Sequence, residues 1–544
     1  MTPHEIMIRM RDGIHLQSFI HLPEGEGPFP ALLVRCMYGT NAVAGKTRQF
    51  VDNGYAVVAQ NVRGRHKSEG GPTGRYDTPE DGFDTFDWMA AQDWCNGRIG
   101  TFGASALARV QTSTAFMAHP AHRAMCPQVL PYGMMSRLGG SCMLHQIPMW
   151  FFYAQSGPEL NPYDQIDWMP HLAKLPTTSI LDDLGGPLEQ FRKVVVEAQE
   201  AYANLGDLNQ FQKLNTPNLM VTGWYDHCGT GPTDFFIHTM AHGTAQQKKN
   251  THLVIGPWDH SCDPDIIPDY NFGDTAKRDH QAAELTFFEH HLKQNEASAL
   301  PPVRIFVMGK NEWRNETSWP LERAVDQEFY LHSNGNVQGA WIRGDLSTTP
   351  PENESSDQFI YDPSNPVPSW GGANSGPARV LPMRRGPRDQ QTTLYRQDVL
   401  TYYSKPMDTP LEVTGMLKLV LFAASSALDT DFTAKLMDVA PNGNARLLSD
   451  GVVRARFRNN PREPEFLTPD VPFRFEIDLW HTSNEFQPGH RIALAISSSN
   501  FPRLSRNLNT GGNNGTRGRI RFRHPDNLPR QNATITLNFA NRQE

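Results

Sequence analysis

The segment 98–108, RIGTFGASALA, constrains the fold more than any other part of the chain. Its apolar run ends at Gly103, Ser105 follows with one residue between, and helix-forming residues continue at once. This pattern is typical of a tight turn from a strand into a helix, which exposes the serine hydroxyl. Gly103 suits the turn because a side chain there would collide with the helix. The segment predicts a nucleophilic Ser105, with an N-capping serine as the alternative.

Two later segments have a similar form, an apolar strand followed by a polar side chain. Asp226 follows the apolar run 218–225, and His260 follows the run that begins at 251. Because the carboxyl ends of parallel strands share one edge of a sheet, distant residues can meet there. Taken singly, the alternatives are a turn-capping aspartate and an ordinary loop histidine. Serine, acid and histidine in this order predict an α/β-hydrolase triad, in which His260 takes the proton of Ser105 and Asp226 orients the imidazole.

Acyl transfer also needs hydrogen-bond donors for the oxyanion of its tetrahedral intermediate. The backbone N–H of Ala106, directly after the predicted nucleophile, supplies one donor. The apolar run 31–35 leads to Tyr38, whose hydroxyl is a candidate for the second donor. On residue chemistry alone, a packed core tyrosine is the alternative for Tyr38.

Ordered motifs over nearly the whole chain resemble those of the cocaine esterase and X-prolyl dipeptidyl aminopeptidase group of serine hydrolases. They are RCMY at 35–38, NVRGR at 61–65, SEG at 68–70, WCNGR at 94–98, GWYD at 223–226, GPWDH at 256–260, VMGKNEW at 307–313, YDP at 361–363, DTDF at 429–432, SSSNFP at 497–502 and RNLNTG at 506–511. The resemblance implies a triad of Ser105, Asp226 and His260. It also implies an oxyanion hole made by the Tyr38 hydroxyl and the Ala106 amide.

The chain departs from the family pattern at two places beside these residues. The family usually has tyrosine after the nucleophile and a glycine two residues later, whereas this chain reads Ser105-Ala-Leu-Ala108. Relatives resembling α-amino-acid ester hydrolases place two carboxylates after the triad acid, where this chain has His227, Cys228 and Gly229. The missing negative charge favours a neutral or acidic acyl group over a free α-amine.

The pattern of strands and helices predicts an α/β fold with an α/β-hydrolase core, an inserted helical cap and a C-terminal β-sandwich. Short strands alternate with helices in the core, and strand-like runs separated by Gly, Pro and Asn follow it. The resemblance narrows the β-sandwich to a jelly roll. The expected divisions are 1–128 and 214–324 for the core, 129–213 for the cap and 325–544 for the jelly roll.

The inserted segment 129–213 is rich in Met, Trp and Phe and is expected to cover the active site. Trp150, Phe151 and Trp168 are candidates to line a pocket for the acyl or alcohol group. Core packing is the alternative for each of these aromatic side chains.

Composition agrees with a soluble enzyme of several domains, and the expected partner is a small-molecule ester or amide substrate. The chain has 544 residues, 38% of them hydrophobic, and a net charge of −8, which argues against a nucleic-acid binder. The chain contains no apolar stretch of about 18 residues, so no membrane span is predicted. The N-terminal residues lack a signal-peptide core, so a cytoplasmic location is expected. The sequence leaves open whether the chain forms a homo-oligomer.

The six cysteines show no CxxC metal motif, and neither a metal nor a cofactor is expected. Cys228 and Cys262 each follow a predicted triad residue by two positions. Small packing residues are favoured for them over a disulfide or a metal pair.

The expected function is hydrolysis of a carboxylic ester through an acyl-enzyme. The first alternative is an amide hydrolase of acylase or X-prolyl peptidase type. The others are a biosynthetic acyltransferase or cyclase, and a non-catalytic binding protein on the same scaffold.

Overall fold

The structure is a computed structural model of the 544-residue chain. It describes residues 3–71, 78–132, 137–144, 146–149, 166–184, 191, 208–262, 270–277, 279–296, 300–352, 354–374, 385–461, 463–511 and 534–540. Most strands within these ranges belong to two large sheets.

The first sheet has ten strands and a parallel centre. The strands of this half of the chain are β1 His4–Arg9, β2 His15–His21, β3 Phe29–Cys36, β4 Ala56–Asn61, β5 Cys95–Ala104, β6 His122–Gln128, β7 Arg137–Leu138, β8 Ser141–Cys142, β9 Asn218–Tyr225, β10 Thr251–Asp259, β11 Val303–Val307 and β12 Glu312–Glu316. Their order in the sheet is β1-β2-β4-β3-β5-β6-β9-β10-β11-β12, while β7 and β8 pair separately. Pairing is parallel from β4 through β11, so the carboxyl ends of β3, β5, β9 and β10 lie along one edge.

Helices cover both faces of this sheet. The described helices are α1 Ala44–Asp52, α2 Pro79–Ala90, α3 Ala106–Ala115, α4 Trp168–Leu172, α5 Gly231–His242, α6 Ala245–Lys249, α7 Asp279–Lys293 and α8 Gln391–Leu394. Successive residues of β3 face opposite sides, as the two-residue period of a strand requires. Leu32 packs in one cluster with Phe50 of α1, and Leu33 packs in another with Phe86 of α2. The central strands are therefore buried on both faces, which explains their continuous apolar runs.

The second sheet has nine strands and forms a C-terminal domain that is mostly β-structure. Its strands are β13 Ala324–His332, β14 Gly344–Ser347, β15 Leu400–Ser404, β16 Leu411–Ala423, β17 Asp431–Val439, β18 Ala445–Arg454, β19 Phe473–Phe486, β20 Arg491–Ser497 and β21 Thr534–Ala540. Their order is β18-β17-β20-β15-β14-β13-β21-β16-β19. The end strands β18 and β19 contact each other. Ser449 Oγ of β18 donates a hydrogen bond to the Leu479 carbonyl of β19. The sheet thus rolls around a core that includes Leu419, Phe432 and Leu494.

The predicted α/β core with a C-terminal β domain is confirmed by this architecture. Strands lie at the predicted positions near 31, 99, 218 and 251. The jelly-roll topology and the domain boundaries stay predictions. Among the described residues, no helix has the length and apolar character needed to cross a membrane.

The described part of the 129–213 segment packs against the C-terminal domain. Met143, Ile147 and Trp168 share a hydrophobic cluster with Trp480 of β19 and with Leu504. A short bridge between Met143 and Leu504 adds backbone contact. The described part of the insertion therefore packs on β19 of the second sheet and on the segment around Leu504.

Candidate active site

Ser105 occupies a strained turn between β5 and α3. Its backbone has φ 60° and ψ −120°, a left-handed conformation that costs a non-glycine residue on the order of 1 kcal/mol or more. The Ser105 N–H donates to the Gln128 carbonyl of β6 at 2.9 Å, and the Ser105 carbonyl accepts from Ala108 N at 2.9 Å. These bonds fix both sides of the turn. The strained serine lies at the carboxyl edge of the sheet and is partly exposed.

Gly103 makes this turn sterically possible. Its φ is +136°, and a Cβ added there would lie 2.7 Å from the Cβ of Leu107 in α3. The close approach of strand to helix is the one expected from the sequence.

Asp226 lies directly after β9 and is completely buried. Its Oδ2 accepts a hydrogen bond from Thr222 Oγ1 at 3.0 Å, and its Oδ1 accepts one from the Cys228 N–H at 3.0 Å. The same Oδ1 accepts from His260 Nδ1 at 2.7 Å. Three donors therefore hold the carboxylate in one orientation.

His260 follows β10, the strand next to β9 in the sheet. The pairing of β9 with β10 shifts register between Gly256 and Asp259, and such a bulge redirects the side chains that follow it. Asp259 accepts a hydrogen bond from the Ser261 N–H at 2.8 Å, which holds the turn. The His260 side chain is 20% exposed, so its ring connects the buried acid with the accessible edge of the site.

The structure brings Asp226 and His260 into contact and places Ser105 at the same sheet edge, at the end of β5. Within the described residues, Ser105 Oγ makes no hydrogen bond to His260. In unliganded enzymes the contact between nucleophile and base is often long. The acid and base geometry is therefore observed, and the complete triad is a proposal.

Tyr38 and Ala106 also lie at this edge. Tyr38 follows β3, the neighbour of β5 in the sheet, and is partly exposed. Ala106 begins α3, so its N–H is one of the free donors of the first helical turn. This placement fits the oxyanion hole implied by the resemblance.

The structure describes only one of the three aromatic residues predicted to line a pocket. Trp150 and Phe151 lie outside the described residues. Trp168 is 0% exposed and packs in the cluster with Met143 and Ile147. This complete burial favours core packing, the alternative that the sequence left open, and a contact of Trp168 with substrate stays a prediction.

Sequence reasoning missed how closely His227 and Cys228 approach the base. The ring centroids of His227 and His260 are 3.9 Å apart, and Cys228 Sγ lies 3.9 Å from His260 Nδ1. The spacing of Cys228 from the acid was the available signal. Cys228 and Cys262 are buried free thiols. Burial, with the nearby Asp226 charge, raises the pKa of both thiols well above the usual range.

Trp480 is a second residue that no local motif indicated. It belongs to β19 in the C-terminal domain and has φ 64°. A Cβ added to Gly229, three residues after Asp226, would lie 2.8 Å from Trp480 Cη2. The indole therefore lies against the loop that carries the acid.

Two protein-family models match consecutive parts of the chain. Residues 12–262 match the X-Pro dipeptidyl-peptidase (S15 family), and residues 295–542 match the X-Pro dipeptidyl-peptidase C-terminal non-catalytic domain. The cocaine esterase of Rhodococcus sp. (strain MB1 Bresler) is 35% identical over 553 residues, which cover 93% of this chain and 92% of that protein.

Solved structures agree with this family. An α-amino acid ester hydrolase superposes with a TM-score of 0.85 at 25% identity, covering 99% of this chain and 96% of the other. An aminopeptidase from a marine sediment archaeon, Thaumarchaeota archaeon, superposes with a TM-score of 0.86 at 24% identity over 99% and 96% of the two chains, which shows the same fold. The match to the esterase covers nearly the whole chain, and the fold agrees with it. This chain therefore belongs to the cocaine esterase and X-Pro dipeptidyl-peptidase (S15) family of α/β-hydrolases and is a serine hydrolase.

Proposed function

We propose that this chain hydrolyses carboxylic esters of small molecules through an acyl-enzyme on Ser105. The observation that carries the proposal is the 2.7 Å hydrogen bond between His260 Nδ1 and the buried Asp226. This bond commits the Nδ1 proton to the acid, so Nε2 of the neutral imidazole is the atom that accepts the serine proton. Ser105 stands at the same sheet edge, at the N-cap position of α3.

The reaction proceeds in two half-reactions. His260 Nε2 takes the hydroxyl proton of Ser105 while Oγ bonds to the ester carbonyl carbon. The Ala106 N–H and the Tyr38 hydroxyl donate to the resulting oxyanion. Collapse breaks the bond to the alcohol, which leaves with the proton from His260. Water, deprotonated by His260, then attacks the acyl carbon. The bond to Ser105 Oγ breaks, Oγ regains its proton from His260, and the carboxylic acid is released.

The loop after Asp226 favours a neutral or acidic acyl group. Its next residues, His227, Cys228 and Gly229, carry no carboxylate that could pair with a substrate ammonium. Asp226 itself is occupied by three hydrogen bonds. The similarity to a cocaine esterase supports ester chemistry.

Amide hydrolysis is the second candidate, and the S15 family description favours it. The same triad would serve, with His260 protonating a leaving amine instead of an alcohol. Ester and amide substrates that share one acyl group separate the two candidates. Because esters are intrinsically more reactive than amides, ester turnover without measurable amide turnover supports esterase function, and amide turnover at a comparable kcat/KM supports the amide hydrolase.

Intact-mass measurement after treatment with a fluorophosphonate tests the nucleophile. We expect one adduct on the wild type and none on Ser105→Ala. Ser113→Ala is the matched control, because Ser113 lies on the same helix, α3, and should leave the adduct in place. An adduct on Ser105→Ala, or no adduct on folded wild type, would contradict the proposed mechanism.

We also infer that the C-terminal domain completes the wall of the site. The contact between Trp480 and Gly229 supports this role. The jelly-roll topology and the cytoplasmic location stay predictions, and the oligomeric state stays open. The proposed mechanism requires no cofactor.

A further inference from the structure

Three metal-ligating side chains lie together beside the acid and base. The ligand atoms of His227, Cys228 and His260 all lie within 4.8 Å of one another. Cys228 Sγ is 3.9 Å from His260 Nδ1. His227 is 3% exposed and Cys228 is 2% exposed, so both side chains are held in place by their surroundings.

The spacing of these atoms suits a site with three protein ligands. A tetrahedral Zn²⁺ with bonds of about 2.0–2.3 Å holds neighbouring ligand atoms about 3.3–3.8 Å apart. The separation of 3.9 Å between Cys228 Sγ and His260 Nδ1 is close to that spacing. Small rotations of the three side chains would therefore bring their ligand atoms around one ion, with water in the fourth position.

We propose that His227, Cys228 and His260 bind a divalent cation of the zinc class and that this binding inhibits the hydrolase. One thiolate and two imidazoles are a donor set that suits Zn²⁺ and Co²⁺. Mg²⁺ and Ca²⁺ prefer oxygen ligands and are excluded by this chemistry. On binding, the Cys228 thiol proton is released to solvent.

Inhibition follows from the tautomer of His260. Coordination through Nδ1 replaces the hydrogen bond to Asp226, and the one proton of the neutral imidazole then lies on Nε2. Nε2 has no free lone pair in that state and cannot accept the proton of Ser105. The inhibition rests on the proposed function, whereas metal binding itself does not. The role also differs from the packing role that the sequence favoured for Cys228.

Cobalt titration of the full chain tests the site independently of activity. Co²⁺ is the probe, because a Co²⁺–thiolate bond gives a charge-transfer absorption band. We expect a band that saturates at one equivalent on the wild type, is lost in Cys228→Ala, and needs at least about 10-fold more metal in His227→Gln. Cys95→Ala is the matched control, since Cys95 is a buried thiol at the start of β5, and its band should be unchanged. No band on folded wild type, or a band that survives in Cys228→Ala, would overturn the proposal.

Zinc titration of ester turnover tests the inhibition. We expect Zn²⁺ to inhibit the wild type reversibly, with activity restored by a chelator. Cys228→Ala should raise the half-inhibitory Zn²⁺ concentration by at least about 10-fold, measured relative to the variant's own zinc-free activity. Equal zinc sensitivity in the variant would overturn the inhibitory role. If Cys228→Ala does not fold, Cys228→Ser replaces it. A wild type without ester turnover would contradict the proposed function, while the cobalt band would still decide the metal site.

Discussion

The carboxylate of Asp226 is held more firmly than any other group proposed for the chemistry. Thr222, Cys228 and His260 donate to it, and the side chain is fully buried. Such a group fixes the tautomer of His260 and stabilises the imidazolium that forms during reaction. Its position after β9 explains why the geometry forms before any substrate binds.

Asp226→Asn should lower kcat by a factor on the order of 10⁴, because an amide can donate to Nδ1 and stabilise the wrong tautomer. Steady-state ester hydrolysis measures the change. Asp259→Asn is the matched control, because Asp259 is next to His260 in sequence but bonds to Ser261. A loss of similar size in both variants would show that the Asp226 effect is a general disturbance of the loop.

Tyr38 follows β3 at the edge where Ala106 begins α3. Tyr38→Phe removes only the hydroxyl, and we expect kcat to fall by about 10²–10³ if that hydroxyl donates to the oxyanion. The measurement is kcat and KM for one ester, with KM expected to change little. An unchanged kcat would show that the hydroxyl does not stabilise the oxyanion and would support the alternative that Tyr38 is a packed core tyrosine.

At the scale of secondary structure elements, the turn from β5 into α3 depends on Gly103. Gly103→Ala should reduce the free energy of unfolding by about 1–3 kcal/mol more than Gly13→Ala, as measured by urea denaturation. Both glycines have positive φ, but an added Cβ meets Leu107 at Gly103 and nothing within 4 Å at Gly13. Equal losses would show that backbone strain alone, without the steric contact, requires the glycine.

The elements could be predicted because their signals are local. Buried parallel strands need continuous apolar runs, and the turn into α3 needs a small residue at Gly103. The polar residues that follow β5, β9 and β10 were therefore recognisable in the sequence. The burial of Trp168 could not be predicted from the sequence, because an aromatic residue in a cap can pack inward or line a pocket with the same local pattern.

At the scale of the whole molecule, contacts between the two sheets shape the site. Trp319, just before the second sheet, packs against Trp224 of β9 with ring centroids 5.7 Å apart and donates to His481 Nδ1 of β19 at 3.1 Å. Trp480, the neighbour of His481, lies against Gly229. These residues are distant in sequence, so their meeting depends on domain packing. The sequence indicated a β domain and its resemblance to a family, but it carried no local signal for this contact.

The contact between Trp480 and the loop of Asp226 predicts that the C-terminal domain supports activity. Trp480 is 5% exposed, and its indole also lies 5.0 Å from the Arg503 guanidinium carbon. Trp480→Ala should therefore reduce the free energy of unfolding by about 3–5 kcal/mol, measured by urea denaturation. Under conditions where the variant stays folded, kcat/KM should fall by up to about 10²-fold, because the loop that positions the acid loses its support.

Trp341→Ala is the matched control for this prediction, since Trp341 belongs to the same domain but is 80% exposed. It should change the free energy of unfolding by about 0.5 kcal/mol or less and leave kcat/KM unchanged. A Trp480→Ala variant that is less stable but fully active when folded would show that the domain supports the fold without shaping the site. A loss of kcat/KM in Trp480→Ala alone would instead tie the second domain to the position of Asp226.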